Sequence, residues 1–299
     1  MRYPKISILV PIYNEEDILE KFLEHITEEM KYPNTEILLA IDGEDNSINI
    51  ARKFAKEHKN IQIDYSKKRR GAFTAQNILL KKAKGDILVK FDPDSRFMEP
   101  EKALFNLKKH YDNSKIGAVI FNYHYSSQEE KSRSLTIRGE VFVMRLVSDY
   151  MQSIGTIKGE WNDFLVVTSL RNGIIDKIEL DCPEDALFAY SALDKGYEII
   201  FASDVKVYKI GNPPNPRSLF KQKKRNMNFW LGMKKKRNVR LYLFYLVILK
   251  YFLKNFYKYK IGDILAFIYW CFVFLFAVVS ASFQRDSSGT DKWTKHKRV

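Results

Sequence analysis

The sequence predicts an α/β fold with a mostly parallel sheet flanked by helices, followed by a membrane-associated helical segment. Three observations predict it. Over roughly the first 120 residues, short apolar β-branched runs alternate with segments of helical spacing, joined by short connections; parallel strands with crossover helices give this pattern. Three successive runs end on acidic or amide residues: Asn14 and Glu15, Asp42, then Asp92 and Asp94. Lastly, Ile264 to Phe283 carries no charge over twenty positions, enough to cross a hydrocarbon core of ~30 Å.

The elements follow in order. Lys5 to Val10 is a strand that Pro11 is expected to end. Glu15 to Met30 has helical spacing through Ile18, Leu19, Phe22, Leu23 and Ile26. Glu36 to Ile41 is a second strand, closed by Asp42-Gly43, and a helix follows from about Ser47 to His58. Ile61 to Tyr65 is a third strand, Ala72 to Ala83 a helix stopped by Gly85, and Ile87 to Phe91 a fourth strand ending in Asp92-Pro93-Asp94. Glu99 to Tyr111 is a helix and Gly117 to Tyr123 a fifth strand. Lys131 to Tyr150 reads as helical, Phe164 to Leu170 as a strand, Pro183 to Lys195 as a helix and Glu198 to Tyr208 as strand-rich.

The rigid stretch Asn212-Pro213-Pro214-Asn215-Pro216 marks a boundary. Residues 1–211 form the α/β domain, 212–260 basic juxtamembrane or interfacial helices, 261–283 a transmembrane helix and 284–299 a basic tail. Leu241 to Leu253 suits either an interfacial helix with snorkelling lysines or the first arm of a hairpin. Basic residues flank the uncharged run on both sides, so charge does not choose its orientation.

The chain of 299 residues has 50 Lys and Arg against 36 Asp and Glu, a net +14. Between Val205 and Lys260 there are sixteen Lys or Arg and no acidic residue, while residues 1–204 are mildly acidic. A basic block beside an apolar run fits an anionic membrane surface better than nucleic acid. The two cysteines, Cys182 and Cys271, do not suggest a pair, which fits a reducing compartment. Met1 to Pro4 does not read as a cleavable signal. No P-loop or GxGxxG motif occurs, so phosphoryl transfer from ATP and dinucleotide redox chemistry lack support.

In open α/β sheets, ligands bind beyond the C-terminal strand ends. Asp92-x-Asp94 there can hold a hard divalent cation such as Mg²⁺ or Mn²⁺ together with substrate phosphates, or can be a solvated turn. Asp42 can accept a hydrogen bond from a nucleobase N–H, or Asp42-Gly43 can be a plain turn. Glu184-Asp185 after Pro183 can supply a general base, or can complement a helix dipole. Gln222 and Arg225 stand in a basic segment that also reads as a membrane-facing surface.

Together these positions resemble the family 2 glycosyltransferases of the GT-A fold, over about residues 5–230. Ile8-Leu9-Val10-Pro11-Ile12-Tyr13-Asn14-Glu15-Glu16 is similar to that family's V-P-x-Y-N-E start. Ile41-Asp42-Gly43-Glu44-Asp45-Asn46-Ser47 resembles its D-G-S-T-D-G-T loop, one residue shorter. Arg70-Gly71, Asn77 and Lys84-Gly85-Asp86 resemble R-G-x…N-x-G…A-x-G-D. Phe91-Asp92-Pro93-Asp94-Ser95 resembles x-D-A-D-S, and Pro183-Glu184-Asp185 with Gly196-Tyr197 resembles E-D…K-G-Y.

The resemblance implies an inverting, metal-dependent transfer from a UDP- or GDP-sugar. It assigns Pro11, Tyr13, Asn14, Glu15, Asp42, Arg70, Gly71, Asp92 and Arg225 to the donor, and Asp92 and Asp94 to Mg²⁺ or Mn²⁺. Asp185 would be the catalytic base, with Glu184, Trp161 and Gln222 toward the acceptor. In Q-x-x-R-W members a Trp follows the Arg; here Asn226 follows Arg225 and Trp230 is displaced, which speaks against polymer synthesis. The basic, apolar C-terminus points to a lipid-linked or glycan acceptor, at the cell membrane with the catalytic domain on the cytoplasmic face, and no nucleic-acid partner. Two rivals are a sugar nucleotidyltransferase, whose Gly-rich basic N-terminal loop is not seen, and a non-enzymatic membrane-surface or nucleic-acid binder, which leaves the acidic strand ends unexplained.

Overall fold

The computed structural model describes residues 3–159, 167–178, 184–211, 215–236 and 241–283. The first half runs β1 (Ile6–Tyr13), α1 (Glu16–Glu24), β2 (Thr35–Asp42), α2 (Ser47–Glu57), β3 (Ile61–Ser66), α3 (Ala72–Lys82), β4 (Ile87–Lys90), β5 (Ser95–Phe97) and α4 (Pro100–Tyr111). Then come β6 (Ile116–Tyr125), a one-turn α5 (Ser127–Glu130), α6 (Leu135–Ile154), β7 (Thr156–Ile157), β8 (Ser169–Arg171), α7 (Glu184–Asp194) and β9 (Glu198–Lys209). The chain continues through α8 (Pro216–Lys236), α9 (Leu241–Asn255) and α10 (Ile261–Phe283).

The strands form one sheet in the order β3-β2-β1-β4-β8-β6-β9-β5, with β7 on β9. β3, β2, β1 and β4 are mutually parallel, as are β6 and β9, and these registers contain most of the paired residues. β8, β5 and β7 pair antiparallel. The two-residue strand period sorts the core into two layers. Ile6, Ile8 and Val10 with Ile37, Leu39 and Ile41 pack under Leu19, Phe22, Ala51 and Leu104 of α1, α2 and α4. On the other face, Leu9, Leu38, Ala40 and Leu88 meet Phe73 and Leu79 of α3 and Phe188 of α7. Burying one such large apolar side chain contributes roughly 1.5–3 kcal/mol.

Several expectations are corrected. Pro11 does not end β1, which continues to Tyr13 beside Asp42. The β4 ladder against β1 stops at Lys90, opposite Leu9, so the missing N–H of Pro11 costs no bond there. The helix expected through Met30 leaves the α form after Glu24 and ends in a π turn over His25–Glu29. The buried His25 Nε2 accepts from Phe97 N at 2.9 Å, and its Nδ1 pairs with Glu29 at 2.7 Å. β5 and β7, of three and two residues, were not expected. The strand expected at Phe164 starts at Ser169 among the described residues.

A buried carboxylate fastens the N-terminal edge of the parallel strands. Glu36 accepts from Lys5 Nζ at 2.7 Å, Ser7 Oγ at 2.5 Å and Lys84 N at 2.6 Å. Burial works against its charge, but the bonds from Lys5, Ser7 and Lys84 outweigh it and hold its carboxyl below the usual range.

β9 carries an irregularity with functional reach. Consecutive Phe121 and Asn122 of β6 pair with Ala202 and Lys206, leaving residues 203–205 unmatched. Past this bulge β9 resumes its register and reaches β5, where Lys209 pairs with Ser95.

The helices after the sheet pack on α6. Phe142 and Leu146 of α6 form a cluster with Ile248 and Phe252 of α9 and Phe267 of α10. Gly139 permits close approach there: a Cβ would sit 2.8 Å from Ala266 O and 2.9 Å from Trp270 Cβ. Arg138 Nη2 donates to Asp263 Oδ1 at 3.0 Å across the same crossing.

Candidate functional site

The expected residues gather at two places along the C-terminal ends of the parallel strands. The first lies where β1 and β2 end. Asp42 is buried, and its carboxylate accepts from Arg70 N at 2.6 Å, Arg70 Nε at 2.8 Å and Gly71 N at 3.3 Å. Arg70 Nη1 continues to Asp64 Oδ1 at 2.5 Å. Asp64 also takes Lys82 Nζ at 2.7 Å, and Lys82, then Arg70, hold its carboxyl below the usual range.

Asn14 beside it adopts the left-handed region at φ 50°. A Cβ on residue 43 would stand 1.9 Å from Asn14 Oδ1, so only glycine fits there. Asn14 Oδ1 and Arg70 Nη2 are both buried and without a hydrogen-bond partner among the described residues. One unpaired acceptor and one unpaired donor beside Asp42 suit a polar ligand, because leaving such atoms unpaired costs about 1–3 kcal/mol each. Arg69 lies over the Tyr13 ring at 4.1 Å, and Glu15 N donates to Ser47 Oγ at 3.1 Å, which seats the start of α1 on that of α2.

The second place is the turn between β4 and β5. Ser95 N donates to Asp92 O at 2.9 Å, closing the turn. Buried Arg96 donates through Nη1 to Pro93 O and Ser95 O, both at 2.8 Å, so a guanidinium under the turn fixes Asp92 and Asp94. Lys209 Nζ approaches Asp92 Oδ2 at 3.3 Å. Desolvation opposes its charge, yet Asp94 and Asp92 hold its ammonium well above the usual lysine range. Lys90, two residues before Asp92, pairs with Asp185 Oδ1 at 2.9 Å.

A cavity of about 330 Å³ joins this turn to the helices. Asp92, Lys90, Lys209 and Asp185 line one end, and Gln222, Lys223 and Asn226 of α8 line its wall. Its apolar end is formed by Val143, Met144 and Val147 of α6 with Trp270 and Phe274 of α10. His124 Nε2 and Gln222 Oε1 are buried there without a partner among the described residues. Burial, then Lys206, holds the His124 imidazole below its usual pKa, which favours the neutral ring. Glu140 on the wall pairs with Lys223 at 2.7 Å and accepts from Trp270 Nε1, tying α6, α8 and α10 together.

Asp92, Asp185 and Gln222 therefore share one cavity, whereas Pro11, Tyr13, Asn14, Glu15, Asp42, Arg70 and Gly71 belong to the first place. Asp94 is on the turn, with Oδ1 3.4 Å from Ser95 Oγ. Arg225 does not line the cavity; its Nη2 stands 3.5 Å from Asn226 Oδ1. Glu184 is the first residue of α7, and Trp161 lies outside the described residues. Sequence reasoning passed over Lys90, Lys209, Arg96 and His124. A lysine closing an otherwise buried strand was a readable signal for Lys90, whereas the position of Lys209 depends on the bulge in β9.

Among the described residues no three His, Cys, Asp or Glu side chains converge as a metal cage. Two carboxylates on one tight turn fit instead a hard divalent ion that takes its other ligands from a diphosphate and water.

Residues 7–170 match the sequence model of glycosyl transferase family 2. The glycosyltransferase GlyG of Streptococcus pneumoniae serotype 4 is 27% identical over 157 residues, covering 52% of this chain and 51% of that protein. The putative glycosyltransferase EpsE of Bacillus subtilis is 28% identical over 125 residues, 40% of this chain and 45% of that protein. The chain thus spans about half the length of these relatives. Among solved structures, the mannosyltransferase PcManGT from Pyrobaculum calidifontis, in complex with GDP-Man and Mn²⁺, superposes with a TM-score of 0.59 at 17% identity, covering 94% of this chain and 74% of that one. Residues 1–349 of S. aureus TarS in complex with UDP-GlcNAc give 0.53 at 16% identity, with 92% and 81% covered. At these identities the likeness concerns the fold alone, which is GT-A.

Proposed function

The chain belongs to glycosyl transferase family 2, and from that premise we propose that it transfers a sugar, with inversion, from a nucleoside-diphosphate sugar to an acceptor hydroxyl or phosphate at the cytoplasmic face of a membrane. The observation that carries the reading is the shared cavity of Asp92, Asp185 and Gln222. The donor's base and ribose would lie at Asp42, Asn14 and Arg70, where one acceptor and one donor atom are unpaired. GDP-Man and UDP-GlcNAc, bound by the two fold neighbours, set the donor classes to try first.

Transfer is a single displacement. The acceptor oxygen forms the new bond to the anomeric carbon as the bond from that carbon to the diphosphate oxygen breaks. Asp185 takes the proton when the acceptor is a hydroxyl; a phosphate acceptor needs none removed. Lys90 keeps Asp185 oriented, and its charge opposes protonation of the carboxylate, so proton transfer comes late, when the attacking oxygen has become acidic. Lys209 offers its ammonium to the departing diphosphate. A bound Mg²⁺ or Mn²⁺, held by Asp92 and Asp94, would supply further neutralisation of the leaving group's charge. Gln222 and His124 line the same cavity as the apolar side chains of α6 and α10 and would meet the acceptor there; that apolar lining favours a lipid-linked acceptor.

The test is product analysis with UDP- and GDP-sugars and lipid extract, with and without EDTA. The expected products are nucleoside diphosphate and a glycosylated lipid, with turnover lost in EDTA and in Asp94→Ala. Release of pyrophosphate in a parallel reaction with UTP or GTP and a sugar 1-phosphate would instead assign a nucleotidyltransferase, and full turnover in EDTA would remove the metal from the reading.

A further inference from the structure

We propose that α9 and α10 form a platform lying in the plane of the membrane, with α10 dipping into the headgroup–acyl boundary rather than crossing the bilayer. This rests on the reading that the protein works at a membrane surface, and it specifies how the surface is met.

Length alone leaves the matter open. The 23 residues of α10 extend about 34 Å, enough to cross. The distribution of exposure decides it. Ile261, Leu265, Ile268, Phe272, Leu275 and Val279 are exposed, Leu265 at 55% and Phe272 at 60%. Their spacing of three and four residues draws one stripe along the entire helix. The opposite side is packed over the same length: Ala266, Phe267, Trp270, Ala277 and Ala281 are buried. α10 is therefore a helix with one free face, the geometry of an interfacial helix.

The layer behind it is charged. α10 meets α6 and α8 through Arg138–Asp263 at 3.0 Å and through Glu140, which pairs with Lys223 at 2.7 Å. Arg145 on α6, with Arg217 and Lys221 on α8, is exposed. If α10 crossed the bilayer as packed, it would carry these helices into hydrocarbon, at about 2.5–3.5 kcal/mol or more for each charge. If it crossed alone, it would leave Glu140 and Lys223 without the cover of Trp270 and would open the apolar end of the cavity to water. An in-plane position avoids both.

The occupant of the free face is an anionic bilayer, on grounds of charge and of further exposed apolar surface. α9, packed on the same cluster as α10, and the turn after it add exposed Leu246, Leu249, Leu253, Phe256 and Tyr257. Lys250, Lys254, Lys258 and Lys260 are exposed among them, each worth about 1 kcal/mol near an anionic surface. Trp270 and Phe274 line the cavity from the inner side of the same helix, so the platform sets the apolar end of the cleft against the lipid.

Depth measurement on the full chain tests this. Cys182 and Cys271 are replaced by serine, and Leu265→Cys, Phe272→Cys and Val279→Cys variants each carry a nitroxide on phosphatidylcholine–phosphatidylglycerol vesicles. Power saturation should place all three labels at one shallow depth, about 5–10 Å below the phosphates. A crossing helix would instead bury the Phe272 label near the centre, about 15 Å deep, with the other two about 10 Å shallower, and that profile overturns the proposal. Label–label broadening in solution with no lipid contact also overturns it, making the stripe an interface between copies. Failure to bind vesicles, with donor binding intact, overturns the platform and the membrane reading together but leaves sugar transfer standing. Lys254→Glu and Lys258→Glu should each weaken vesicle binding at least five-fold or so without changing donor affinity.

Discussion

In the parallel half of the sheet, Asn14, Asp42, Lys90 and Asp92 each stand within two residues of the end of their own strand. In the layer of α6, α8 and α10, the facing groups meet from distant positions, as Glu140 and Trp270 do across 130 residues. The first region is held by ladders and by short bonds to backbone amides, such as those from Arg70 and Gly71 to Asp42. The second is held by side-chain packing and one buried ion pair. Strand ends thus fix chemistry locally, while the helical layer fixes the cavity's shape and what can reach it. Substitutions in the first should disturb donor binding or turnover, and those in the second access and assembly.

The largest expected effect belongs to the residue that joins the two regions. Asp185→Asn keeps the size and removes the basicity. On a hydroxyl acceptor it should lower turnover by roughly 10²–10⁴-fold, the usual range for a general base, with donor affinity nearly unchanged. Steady-state rates and equilibrium donor binding measure the two separately. Glu184→Gln should stay close to the parent rate; the reverse pattern would move the base to Glu184. If neither matters, helix capping accounts for both carboxylates.

Next in size is a break in the sheet half alone. Glu36→Gln removes a buried charge that three donors share and should cost about 1–3 kcal/mol of stability at neutral pH. Because the folded carboxyl titrates below its usual range, its contribution is present above the unfolded pKa and is lost as pH falls through the lowered folded value. Denaturant unfolding across the acid range should show that loss in the parent and a flatter profile in the variant. An identical profile would show that Glu36 does not govern it.

The smallest effect is expected at the α6–α10 crossing. Gly139→Ala gains up to about 1 kcal/mol of helix propensity but drives a methyl against Ala266 O, an overpacking that costs roughly 1–3 kcal/mol. A net loss of about 1 kcal/mol should appear in thermal unfolding while donor binding at the sheet stays as it was. A gain in stability would mean that the crossing relaxes freely.

Much of the first region was legible. Short apolar β-branched runs bounded by turn residues gave β1 to β4, and the acidic residues closing them put Asp42 at the end of β2 and Asp92 and Asp94 on the turn after β4. Where Pro11 misled, the reason was tertiary: a proline is tolerated in β1 because the β4 ladder has already stopped. The second region was legible only as composition. An uncharged run specifies apolar surroundings without saying whether lipid or protein provides them, and α10 meets protein along one side. No local pattern could pair Lys90 with Asp185, since 95 residues separate them.

The bulge in β9 has one more consequence. Three residues, 203–205, slip past β6 before the pairing resumes, and each strand residue advances the chain by about 3.3 Å. The bulge therefore takes up three residues of chain, so that Lys209, where a regular ladder would put Lys206, stands opposite Tyr125 and reaches Asp92. Drawing residues 203–205 into a regular ladder would carry the ammonium about 10 Å past Asp92 and, the count being odd, turn the side chains after it to the opposite face. The segment's length is then as binding a constraint on the site as any side chain in it: single substitutions at exposed Ser203 and Asp204 should be absorbed, whereas a one-residue deletion should not.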